Sequence, residues 1–110
     1  MTFLAEDIPL QQQLEEVLAL QDVHATRNFL NNQNISDVAE LIDENPEYET
    51  QIIAHLSIHR AASVFKILDL TIQRRIVREL PSFKTAELLN ELPADDRTDF
   101  LEELPKEVIR

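Results

Sequence analysis

Asp95 and Asp99 stand four residues apart in the unit Ala94-Asp95-Asp96-Arg97-Thr98-Asp99. On a helix that spacing puts both carboxylates on one face, where like charges cost about 0.2–0.5 kcal/mol. A divalent cation shared with a facing acidic partner would relieve the repulsion, because hard oxygen ligands suit such ions. A plainer role also exists for this cluster. Asp95 and Asp96 open a predicted helix, where negative charge is favourable against the helix dipole.

Other chemistry finds less support. His55 and His59 have the spacing of a metal pair on one helix. They straddle a predicted break at Ser57-Ile58, and Leu56-Ser57-Ile58 between them holds no general base, so they read as two loop-edge histidines. His24 is isolated and reads as a surface or capping residue. Ser36, Ser57, Ser63 and Ser82 fall at predicted caps or faces, none with a histidine and an acid at a telling spacing. Glycine is absent, which removes the Rossmann loop, the P-loop and the nucleophile elbow. Cysteine is absent too, so there is no disulfide framework and no thiolate site. The residues point away from an enzyme.

Charge narrows the partners. The 110 residues carry a formal net charge of −11, which opposes nucleic acid and anionic lipid and favours cations or a basic protein. The charge is banded. Residues 1–57 hold eleven acids and only Arg27, residues 58–84 hold six bases against Asp69 and Glu79, and residues 85–110 hold eight acids against three bases. No secretory signal is apparent at the start, and no apolar run approaches the ~18 residues of a membrane span. The segment is expected to be soluble and cytosolic, without direct membrane insertion.

The elements that must position these residues announce themselves by repetition. Leu80-Pro81, Leu92-Pro93 and Leu104-Pro105 are spaced by twelve. The same step aligns an apolar doublet with a third apolar residue: Ile52-Ile53/Leu56, Val64-Phe65/Leu68, Ile76-Val77/Leu80, Leu88-Leu89/Leu92 and Phe100-Leu101/Leu104. Doublet plus i+3/i+4 is one face of a helix. Proline bars its predecessor from helical geometry and suits the first turn of the next helix, so each Leu-Pro is a stop and a start. Upstream, the pattern predicts helices over Leu10–Leu20 and His24–Asn31. A third opens with Ser36 as N-cap and Glu40 near the capping-box position, and Asn45-Pro46 closes it. Ser57 and Asp69 are expected to cap later helices. Helices this short are unstable alone and bury their apolar face only by stacking. The expected fold is one all-α domain over residues 1–110, a right-handed-type superhelix of short stacked helices akin to armadillo and HEAT arrays.

Ser36-Asp37-Val38-Ala39-Glu40-Leu41-Ile42, Thr85-Ala86-Glu87-Leu88-Leu89-Asn90-Glu91-Leu92-Pro93 and the acidic unit Ala94–Pro105 resemble the cytosolic N-terminal domain of the MgtE family of magnesium channels and transporters. The likeness runs from about Leu10. It implies a regulatory segment at the cytoplasmic face of the cell membrane, followed in the full-length protein by a CBS domain and a homodimeric pore. Magnesium between the superhelix and the CBS region would favour the closed pore. Asp95 and Asp99 match the family's interfacial acids, and Ser63 stands where a family member can place another. A second resemblance, to the short-helix repeats of flagellar motor switch proteins, implies a protein-binding scaffold without metal.

Overall fold

Leu80 shows how the helices are cut. Ahead of Pro81 its backbone sits at φ −70°, ψ 148°, outside the helical region, and the next helix starts at Ser82. Leu56 adopts the same geometry ahead of Ser57, at φ −81°, ψ 150°, although no proline follows it.

The structure, a computed structural model, describes residues 8–93. They form α1 Leu10–Ala19, α2 Val23–Asn31, α3 Ile35–Glu44, a 3-10 turn Pro46–Tyr48, α4 Glu49–His55, α5 Ile58–Lys66, α6 Leu70–Glu79 and α7 Ser82–Asn90. The all-α class is as expected from the repeat. Asp95, Asp99, the fifth doublet Phe100-Leu101 and Leu104-Pro105 lie outside the described residues.

Most boundaries fall within a residue of those the sequence predicts. One cap differs. Helix α3 starts at Ile35 with Asn34 as its N-cap, so Ser36 is already inside the helix and no Ser36–Glu40 capping box forms. Ile35 packs against the core, and that anchoring draws the helix start upstream of the serine. Asp22 caps α2 by accepting from the amides of His24 at 2.9 Å and Ala25 at 3.2 Å. Ser57 and Asp69 occupy their N-cap positions, but neither side chain bonds to its helix.

All twelve residues of the four doublet-plus-one units between Ile52 and Leu92 are buried. The same phase continues upstream in Leu41-Ile42/Asn45, Phe29-Leu30/Gln33 and Val17-Leu18/Gln21, where an amide takes the leucine's place. These units also step by twelve, but Leu41 to Ile52 is only eleven residues. The missing residue is absorbed where the 3-10 turn leads into the seven-residue α4.

Stacking is between alternate helices. One layer runs α2, α4, α6 and the other α3, α5, α7, with α1 against α2 at the start. The result is elongated, 56 × 23 × 21 Å, with one apolar core strung from Leu14 to Leu92. A second periodic column is buried as well: Glu49, Ala61, Gln73 and Thr85, again at steps of twelve. Two of its polar members satisfy helix-end carbonyls of the preceding unit. Gln73 Nε2 donates to Phe65 O at 2.7 Å, and Thr85 Oγ1 to Val77 O at 3.5 Å. Pro81 lacks the N–H that would otherwise bond Val77 O, so the threonine replaces what the proline removes.

Candidate functional site

The end of the stack that leads toward Asp95 and Asp99 is built from α7 and the start of α5. Helix α7 buries Thr85, Leu88 and Leu89, which leaves Glu87 and Asn90 facing outward, with Glu91 following at its C-cap. Glu91 Oε2 lies 2.8 Å from His59 Nδ1, tying the end of α7 to the first turn of α5. The histidine side chain is 83% exposed and the glutamate 33%. A pair this wet contributes about 0–1 kcal/mol, so it orients the chain end more than it stabilises it.

Ser63 lies one turn along α5 and donates to the His59 carbonyl at 3.1 Å. Its hydroxyl is spent within its own helix and brings no charge to the face where the family can carry an acid. His55 does not join His59. It closes α4 with Nδ1 2.7 Å from Gln51 O, whereas His59 turns to Glu91 across the corner. The two belong to different helices with different partners, as the predicted break implies. His24 is exposed on the first turn of α2. No group of three or more histidine, cysteine, aspartate or glutamate side chains among the described residues is arranged to hold a metal ion.

Two polar devices inside the stack escape a reading of the sequence. Glu49 is only 3% exposed, and Arg75 grips it as a fork, Nε to Oε1 at 2.7 Å and Nη2 to Oε2 at 3.1 Å. The hydrogen bonds it donates to Glu49 raise the guanidinium's pKa above its ordinary value. Burial opposes this, and the charges of Glu49 and Glu79 add to it. Glu79 in turn accepts from the Thr50 hydroxyl, so α4 and α6 are joined through polar side chains at two points. The second device is Arg60, whose Nη2 donates to Leu30 O and Gln33 O. Leu30 is in the last turn of α2 and Gln33 just past its C-cap, so the cation complements the negative end of the helix dipole. A signal for Glu49 was present in the sequence, since it shares the phase of Ala61, Gln73 and Thr85. A carboxylate in a buried column needs a cation opposite it.

The Glu49–Arg75 fork yields a test. Arg75→Met should lower the thermal midpoint, because it strands a buried carboxylate. Glu49→Leu combined with Arg75→Met should recover much of the loss, since no charge is then left unpaired. Circular dichroism melts of the single and double variants measure it, and a double variant less stable than Arg75→Met would count against the fork as described.

Residues 33–110 match the family model of the MgtE intracellular N domain. The chain belongs to this family. No curated protein matches the chain. The MgtE N domain match takes in α3 to α7 and leaves α1 and α2 ahead of it, although both helices stack in the same phase as the rest. The match favours the transporter reading over the motor-switch scaffold, and it places the chain in a family of regulatory transporter domains rather than of enzymes. No helix among the described residues is long and apolar enough to cross a membrane.

Proposed function

We propose that this MgtE N domain senses magnesium for a transporter, with Asp95 and Asp99 contributing carboxylates to an ion shared with a following CBS domain. The observation that carries the reading is the family match over residues 33–110. The chemistry of the donors fits. Aspartate oxygens are hard ligands, and magnesium keeps most of its waters and takes one or two carboxylates. The repeat phase also favours it: Asp95 falls on the column of His59, Thr71 and Phe83, all three exposed on the stack.

Charge supplies the mechanism. A chain at −11 facing another acidic surface repels it until a cation lies between them. At low magnesium the N domain swings away from its CBS partner, and at high magnesium it docks and favours the closed pore of the homodimer. Such a site is weak by construction, suited to bulk cytosolic magnesium, and incomplete without the CBS partner.

The test is magnesium titration of the parent protein, followed by small-angle scattering or limited proteolysis. Removing an outer-shell partner alone weakens metal sites about 10–100-fold, so Asp95→Ala/Asp99→Ala should move the compaction midpoint to higher magnesium by more than about tenfold. Compaction unchanged in the double variant would sink the site assignment; no magnesium-dependent compaction in the parent would sink the sensor.

A further inference from the structure

A groove of about 360 Å³ opens between α2, the corner joining α4 to α5, and the first turns of α7. Arg27 from α2 and Lys84 from α7 both line it. They are 57 residues apart in sequence, so only the stacking brings them to one cleft. Neither side chain is held in an ion pair or hydrogen bond among the described residues. Arg60 and Arg75, by contrast, are engaged, the first on backbone carbonyls and the second on Glu49. Two uncommitted cations in one cleft of a chain at −11 make a local reversal of its overall charge.

Two further polar groups line the groove. His55 donates from Nδ1 to Gln51 O, which leaves Nε2 as its other ring nitrogen. The Ser57 amide is taken by Asn31 Oδ1 at 2.9 Å, while its hydroxyl makes no cap bond to α5. Glu87 is the only carboxylate lining the groove among the described residues.

We propose that this groove binds a small multivalent oxyanion of the phosphate class, held by Arg27 and Lys84 with the Ser57 hydroxyl as a neutral donor. A guanidinium and an ammonium group brought to one groove by different helices suit a tetrahedral anion with several acceptor oxygens, for which charge-assisted bonds are the strong ones. Chloride, with one charge and no separated acceptors, does not span them. Glu87 repels the same ligand and holds the affinity down. The site uses neither Asp95 nor Asp99, so it stands apart from the magnesium reading.

Amide NMR of the 110-residue chain in EDTA tests it, with sodium phosphate replacing sodium chloride at constant ionic strength. Saturable shifts are expected at Asn31, Ser57 and Ile58. Pyrophosphate and adenosine monophosphate in parallel arms separate a free oxyanion from a phosphate ester. An exposed charge pair is worth up to about 1 kcal/mol, so Arg27→Gln and Lys84→Gln should each weaken binding by about two- to fivefold. Glu87→Gln should tighten it by a similar factor. These opposite signs are not produced by a merely structural role, and circular dichroism confirms that each variant is folded. Absent or non-saturable shifts would overturn the proposal, as would binding that persists in the Arg27→Gln/Lys84→Gln double variant or a Glu87→Gln variant that binds more weakly.

Discussion

Phe65→Ala should destabilise the stack by about 3–5 kcal/mol, the range for truncating a buried phenyl ring. The ring is 0% exposed and sits on α5, which packs against α3 on one side and α7 on the other. A cavity there unsettles three units together, because no unit has a core of its own. Domains of this size have ~5–15 kcal/mol in total, so the variant loses much of its margin and should melt more than about 12 °C lower. Phe83→Ala is the matched control. That phenylalanine, in the first turn of α7, is 69% exposed, and its truncation should change stability by less than about 0.5 kcal/mol. Urea unfolding followed at 222 nm measures both. Equal losses in the two variants would refute the stacked arrangement.

Asn45 should be the next most sensitive position, and it is polar. It is buried in the place where later units have leucine, and its Nδ2 donates to Leu41 O at 2.7 Å. It also exchanges two bonds of 2.8 Å with the Gln11 amide, one in each direction, across 34 residues. The repeat pattern would suggest Asn45→Leu as an improvement. The opposite is expected, a loss of about 1–3 kcal/mol, because the substitution strips the Gln11 amide of both its bonds to Asn45 and leaves the Leu41 carbonyl without its side-chain donor. Gln11→Leu with Asn45→Leu should recover the share lost with the amide pair, since replacing both of its partners by apolar groups is nearly neutral, while the Leu41 carbonyl stays unpaired. Should Asn45→Leu alone raise the midpoint, the reciprocal amide pair is not what fastens α1 to the end of α3.

These two positions show what was legible in the residues. Phe65 belongs to a doublet whose neighbours at twelve-residue steps are all apolar, so its burial follows from pattern alone. Asn45, Gln33 and Gln21 keep the same phase with amides, and a search for apolar residues passes over them. The candidate site divides likewise. The separation of His55 from His59 was readable, because a break between helices is a local event. The Glu49–Arg75 fork and the groove shared by Arg27 and Lys84 were not, because each joins residues dozens of positions apart. The start of α3 was misplaced because the packing of Ile35 outweighs the capping preference of Ser36.

The sequence by itself determined the helical class, the twelve-residue phase, the points where helices stop and the family. All of these rest on local rules: proline bars helical geometry ahead of it, and a short helix with one apolar face must stack. Tertiary structure alone decided which helices touch, that they do so in alternation, and where the eleven-residue step is absorbed. It also decided which charges are spent inside the stack and which stay free at its surface. The physical reason is that a charged side chain takes its role from the partner it meets, and here the partners come from different turns of the superhelix.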